Sequence, residues 1–268
     1  MNPEAMTRLN GQDYLMEMKM QSLAGKDVVV LGASRGLGAL IARRAAANGA
    51  RTLAVARRRR WLDELAQGAR GIDVLELDAS SDGAPDKVLA ERDPALLVVC
   101  GGARPHAAPI HEMSWAQFSA NWDSDVKTSF QFCKAALGKP LARGAMVVLV
   151  SSGAALGGSP VSGGYAGAKR TQMLIANYCQ KESDRLGLGI RFLALAPAMI
   201  MPDTEFGRHA VEGYAGYLGI LAADFVNSMK SPQSPEDVVA ALFDFVADPQ
   251  AREGSVFKIS SDGIARIE

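Results

Sequence analysis

The chain predicts a doubly wound α/β fold, with one parallel, seven-stranded sheet and helices on both faces. Two observations carry this. Short apolar runs recur without the polar–apolar alternation of a half-exposed sheet, as strands buried on both faces require. Stretches of helical character separate them one by one, as a parallel sheet with helical crossovers needs. The first strand is DVVVL (27–31), followed by a helix over 36–48. RTLAV (51–55) and IDVLEL (72–77) bracket a helix near 61–67. A helix near 82–91 leads to ALLVV (95–99), and a long one over 113–138 leads to AMVVLV (145–150). IRFLALA (190–196) follows a helix over 162–186, and SVFKI (255–259) follows one over 234–247. That last helix opens on SPED (234–237), with a Ser cap, Pro at the first position and acids in the first turn.

Residues 1–22 are polar and methionine-rich and read as a flexible extension. Residues 23–268 read as a single domain without internal repeats. The irregular stretch 198–233, rich in Met, Gly and aromatics, is either a lid over the carboxyl ends of the strands or a surface excursion. The 268 residues are 48% hydrophobic and 22% charged with zero formal net charge, so nothing draws the chain to nucleic acid or an anionic membrane. No apolar run reaches the length of a membrane span. Three widely spaced cysteines and three histidines fit free thiols in a cytoplasmic protein, with no metal site.

Directly after the first strand comes GASRGLG, from Gly32 to Gly38, opening a helix. Glycines there allow a tight turn and close backbone approach to a pyrophosphate at the helix N-terminus, the signature of a Rossmann dinucleotide site. Gly32, Ser34, Arg35, Gly36, Leu37 and Gly38 are the expected contacts. An NAD site needs a carboxylate about 20 residues further on, for the ribose hydroxyl. From Val28 to Leu62 there is no Asp or Glu but eight arginines, and Ala56 stands where the carboxylate belongs. Arg35, Arg57 and Arg58 are placed to hold a 2′-phosphate, which favours NADP(H) over NAD(H). Arg59 and Arg60 read as a solvated helix start. Asp78 after the third strand is either a partner for the adenine amino group or a helix cap.

GASRGLG, LDAS (77–80), CGGA (100–103), VSS (150–152), YAGAK (165–169), APA (196–198) and SDG (261–263) occur in order. In that order and spacing the chain resembles the short-chain dehydrogenase/reductase family, from about residue 24 onward. The resemblance implies a catalytic Ser152, Tyr165 as proton donor and Lys169 as its partner. It also implies cofactor contacts from Asp78, Ala79, Gly101, Gly102, Tyr165, Lys169, Pro197 and Ile200.

Tyr165 and Lys169, at i and i+4, share a helix face. A cation about 4 Å from a phenol, at an effective dielectric near 20, is worth roughly 4 kcal/mol, about three pKa units before desolvation opposes it. Three departures from the family pattern stand out. Asp125 takes the place of an Asn that helps hold a proton-relaying water, and Asn121, one turn earlier, is expected to face elsewhere. An Asn-Asn-Ala-Gly loop becomes CGGA. Pro-Gly becomes Pro197-Ala198, with Thr204 displaced from its usual position.

The expected function is NADPH-dependent reduction of a carbonyl, or oxidation of the alcohol, in a small or medium organic substrate. The alternative is a catalytically weak or inactive NADP(H)-binding regulator or structural protein. Met199, Met201, Phe206, Tyr214, Tyr217 and Leu218 are candidates for an apolar pocket lining or for lid core. The resemblance also implies homodimers or homotetramers built on the two long helices, of which the second carries Ala166, Gly167 and Ala168, small enough for close packing.

Overall fold

A computed structural model describes residues 23–229, 232–248 and 253–267. The expected extension at 1–22 lies outside the described residues. β1 (Asp27–Leu31), β2 (Arg51–Ala56), β3 (Ile72–Glu76), β4 (Leu96–Val99), β5 (Met146–Val150), β6 (Arg191–Pro197) and β7 (Val256–Ser260) pair in parallel. An eighth strand, β8 (Gly263–Arg266), pairs antiparallel with β7, so the expected count of seven is corrected to eight. Four residues after a two-residue turn are too short to show a period, and most of β8 is exposed. It covers the β7 edge that would otherwise be unpaired.

The sheet order is β3-β2-β1-β4-β5-β6-β7-β8. Alternate residues of each strand enter opposite cores, Val28 and Val30 on one face, Val29 and Leu31 on the other. On the first face pack α1 (Gly36–Ala47) and α2 (Arg59–Gln67), through Ile41, Leu62 and Leu65. On the second pack α3 (Ala84–Glu91) through Val88, and the two helices that carry Phe132 and Met173. The predicted long helix at 113–138 is three joined pieces: α4 (Trp115–Asn121), a π turn (Trp122–Val126) and α5 (Lys127–Gly138). Ser114 and Gln117 close a capping box at its start.

After β5 comes the short α6 (Ala154–Gly157), then α7 (Gly163–Arg185). α7 crosses α4 closely, since a Cβ on Gly164 would stand 1.7 Å from the Phe118 carbonyl oxygen. Gly167 faces Trp122 of the π turn and Ala168 is fully buried. Gly167 and Ala168 thus pack within the chain. The 198–229 stretch folds into α8 (Glu205–Leu218) and α9 (Ala222–Ser228), with Tyr214 stacked on Phe225 at 5.4 Å. α10 (Pro235–Ala247) starts as the sequence reads, with Ser234 and Asp237 in a capping box and Pro235 first; it completes the first face through Leu242 and Phe245.

The strand order reverses between β1 and β4, which leaves a crevice at their carboxyl ends. The two loops meet there so closely that a Cβ on Gly32 would lie 2.3 Å from the Gly101 Cα.

Candidate active site

The crevice opens into one cleft of about 1140 Å³, and every residue singled out above as chemical or cofactor-contacting borders it. Its floor begins with the glycine loop. Gly32 (φ +80°) and Gly36 (φ +54°) adopt left-handed backbone that other residues resist. Gly38 packs on the Gly32 carbonyl, where a Cβ would sit at 2.3 Å. The α1 N-terminus carries no side-chain cap and no acid in its first turn. Its outward N–H groups are free to receive an anion, so the residues present fit a dinucleotide pyrophosphate.

Beyond the loop lies a basic rim. Arg57 and Arg58 are exposed beside Ala56, and Arg58 lies over the Trp61 ring at 4.3 Å. Arg35 lies over the same ring at 4.5 Å and ion-pairs with Glu205, which also holds Arg104 at 2.6 Å. The sequence reading missed Trp61 and Glu205, since neither belongs to a motif; only the fold brings α2 and α8 to the glycine loop. Arg59 and Arg60 pair along α2 with Asp63 at 2.7 Å and Glu64 at 3.0 Å, the solvated helix start expected of them. Asp78 accepts two hydrogen bonds from Ser80, at 2.9 and 2.7 Å. Burial opposes its ionisation, but those bonds, with Arg57 and Lys127, hold the carboxyl below its ordinary value.

At the carboxyl end of β5, Ser152 and Tyr165 meet over Lys169. The Lys169 Nζ lies 5.6 Å from the Tyr165 ring centre, donates to the Val150 carbonyl at 3.0 Å and pairs with Asp125 Oδ2 at 3.1 Å. Both charged groups are buried, Asp125 at 1% exposure and Lys169 at 6%. Burial would lower the lysine's pKa, yet Asp125 and its hydrogen bond leave it raised. For Tyr165 burial dominates and raises the pKa; Lys169 and the Ser152 hydroxyl pull it down, while Asp125 and Cys100 oppose them. The lysine charge reaches the phenol, but a carboxylate at its side cancels much of the pull. Cys100, next to this pair, is pushed up to about 12 by burial and stays a thiol.

Asn121 corrects an expectation. It is 1% exposed and its amide nitrogen donates to the Ala103 carbonyl at 2.9 Å and to Asp125 Oδ1 at 3.3 Å. Residues four apart on a helix share a face, so Asn121 points where Asp125 points. Asp125 Oδ1 also accepts the Ala103 N–H at 2.9 Å. Its carboxylate fills the space beside Gly102, where a Cβ would come within 2.4 Å of Oδ2. Gly102 of CGGA thus makes room for the aspartate. Its backbone carbonyl accepts from Ser129 Oγ at 2.8 Å.

Pro197 and Ile200 border the cleft, while Thr204 caps α8, accepting from the Gly207 N–H at 2.9 Å. Phe206 tilts against Tyr165 with ring centres 5.5 Å apart. Met199 and Met201 also border the cleft, whereas Tyr217 and Leu218 face outward at 49% and 55% exposure and drop out as pocket lining.

A fold with an open pyrophosphate cradle and a Ser-Tyr-Lys group at its switch point defines an oxidoreductase of the nicotinamide-dependent kind. The family model described as short chain dehydrogenase matches residues 26–213. An uncharacterized oxidoreductase of Mycobacterium tuberculosis is 30% identical over 247 residues, covering 85% of this chain and 86% of its own. D-threitol dehydrogenase of Mycolicibacterium smegmatis is 29% identical over 204 residues, 72% of this chain and 76% of its own. Human L-xylulose reductase is 28% identical over 129 residues, 48% of this chain and 53% of its own. The chain belongs to the short-chain dehydrogenase/reductase family. With that family it shares a nicotinamide cofactor, NAD or NADP, and chemistry on alcohol and carbonyl groups. Among the described residues no helix is long and apolar enough to cross a membrane, and no group of three or more acidic, His or Cys side chains is placed for a metal.

Proposed function

We propose that the protein is an NADPH-dependent carbonyl reductase, or the reverse alcohol dehydrogenase, with Ser152, Tyr165 and Lys169 as its chemical group. One observation carries this: those three side chains converge on the same cleft as the glycine loop and the arginines Arg35, Arg57 and Arg58. When bound, the nicotinamide supplies a hydride to the carbonyl carbon, or takes one from the alcohol, and in its oxidised form carries a positive charge. Ser152 and Tyr165 donate hydrogen bonds to the substrate oxygen and stabilise the negative charge that develops there. Tyr165 then gives that oxygen its proton, which balances the reduction to an alcohol, and regains one from solvent. Lys169 favours the phenolate so formed, and with two contacts already made to Val150 and Asp125 it has one ammonium proton left for a ligand. Arg35, Arg57 and Arg58 bind the 2′-phosphate, with Trp61 stacked beneath two of them.

The stretch from Met199 through α9 acts as the lid, because Phe206 already packs on Tyr165 and Glu205 reaches the glycine loop. Exposed Trp115, Trp122, Phe130 and Tyr178 on α4, the π turn, α5 and α7 support a homo-oligomer through these helices. A cytoplasmic location is consistent with three unbridged cysteines.

The test is cofactor oxidation by the purified chain with a panel of small ketones. NADPH should give the higher kcat/KM. Tyr165→Phe should lose about 10²–10⁴-fold in turnover while still binding cofactor. Tight NADPH binding without turnover across the panel would mark a regulatory protein instead, and a preference for NADH would overturn the assignment of the arginines.

A further inference from the structure

One polar patch of the cleft has no part in the chemistry above. Ser162 sits at the N-cap of α7, three residues before Tyr165, and is 8% exposed. A serine there normally accepts a backbone N–H of the first turn, but this side chain makes no such bond. Its hydroxyl instead meets Ser159 Oγ at 2.8 Å and the Tyr214 hydroxyl at 3.5 Å. Tyr214 donates to Ser159 Oγ at 2.8 Å, which closes a trio of hydroxyls. Ser162 and Tyr214 border the cleft, among the apolar Ala107, Val161, Phe206 and Ala210. The Tyr214 ring is held by its stack on Phe225, so this hydroxyl has a fixed address.

Three hydroxyls joined in a ring use their own donors and keep acceptor lone pairs to spare. Such a patch suits a neutral group that donates a hydrogen bond, such as another hydroxyl. A carboxylate or phosphate would need a cation, and among the guanidiniums that border the cleft near α8, Arg104 is engaged by Glu205 and Arg208 donates to the Asp203 carbonyl. Ser162 and Tyr165, at i and i+3, lie on one helix face with Cβ atoms about 5–6 Å apart. A group held by Ser162 would therefore be a near neighbour of the carbonyl held by Tyr165.

We infer that the substrate is a hydroxy ketone, or in reverse a diol, whose second hydroxyl is bound by Ser162 and Tyr214. This rests on the assignment of Ser152 and Tyr165 to the reacting carbonyl. Because the trio satisfies itself when no substrate hydroxyl is present, a substrate without one is penalised only mildly, unlike in sites whose polar groups would be stranded. The preference should thus be about tenfold rather than thousands.

The experiment compares hydroxyacetone with butanone, in which a methyl replaces the hydroxyl. The ratio of their kcat/KM values is measured in wild type, Ser162→Ala, Tyr214→Phe and the double variant, so that intrinsic carbonyl reactivity cancels between proteins. The ratio should fall about tenfold in the double variant. Tyr214→Phe keeps the aromatic stack and gives a partial fall even if the double variant folds poorly. A ratio that stays constant in cofactor-binding, folded variants overturns the inference while leaving the reaction assignment intact. Failure of wild type to oxidise either nicotinamide cofactor with any ketone overturns the assignment itself, and this inference with it.

Discussion

Replacing Asp125 by Asn removes one charge from the centre of the site, together with one of the two acceptor oxygens it presents there. The carboxylate lies 3.1 Å from the Lys169 ammonium, with both groups buried. At an effective dielectric near 20, two charges at that separation attract by about 5 kcal/mol, an upper bound on what the carboxylate contributes at the lysine. An amide offers one acceptor oxygen where the carboxylate uses two, Oδ2 toward Lys169 and Oδ1 toward the Ala103 N–H, so it keeps only one of these contacts. The signs follow from the burial that opposes both charges. Lys169 loses the partner that raises its pKa and moves down. Tyr165 loses a negative neighbour that raises its own pKa and also moves down, as long as the lysine stays charged.

In the mechanism proposed above, reduction needs the phenol protonated and fails as pH rises through its pKa. The alkaline limb of kcat/KM for ketone reduction should therefore move to lower pH in Asp125→Asn. Alcohol oxidation needs the phenolate, so near neutral pH it should gain up to about tenfold each time the phenol pKa falls by one. Stability carries a second readout. A lysine held above its ordinary value stabilises the fold below that value and ceases to do so as pH rises through the folded pKa. Wild type should lose stability at strongly alkaline pH, and the variant should lose that part of the fall. If the alkaline limb of Asp125→Asn coincides with wild type, the carboxylate charge does not govern the reacting groups and this electrostatic account is wrong.

Glu205→Gln frees Arg35 and Arg104 from a shared carboxylate. The groups are two-fifths or more exposed, so the effect is modest: NADPH should bind about two- to fivefold tighter, with NADH little changed, in a fluorescence titration. Equal effects on both cofactors would show that Glu205 does not compete with the 2′-phosphate. Gly164→Ala places a methyl against the Phe118 carbonyl, which is backbone and cannot step aside. Overpacking of about 1–3 kcal/mol should lower Tm by roughly 2–12 °C, whereas Gly216→Ala, with nothing within 4 Å of its new Cβ, should hold or slightly raise it.

The sequence made the frame legible because its signals are local. Val28–Leu31 can only be a strand buried on both faces, and Ser234-Pro235-Glu236-Asp237 can only start a helix. The same holds for the placement of Ser152, Tyr165 and Lys169, which depends on one strand end and one helix face. What stayed hidden depends on contacts between distant segments. The hydrophobic pattern of β8 is four residues long, and the partnership of Arg35 with Glu205 joins residues 170 apart. A π turn from Trp122 to Val126 leaves no mark in composition, yet it lies between Asn121 and α5 in the helix that carries Asp125.

The departures from the family pattern, read singly, look like three losses: an asparagine gone, two amide side chains gone from the loop, and a threonine displaced. In the fold the first two are one change. Asp125 needs the volume that Gly102 leaves open, and it needs the Ala103 N–H and the Asn121 amide to balance a buried carboxylate. The loop without side-chain amides provides the room and the backbone donor, and Asn121 supplies an amide from the helix instead. A buried carboxylate this fully engaged is a built feature of the site, so its charge next to Lys169 has to enter any account of how Tyr165 exchanges its proton.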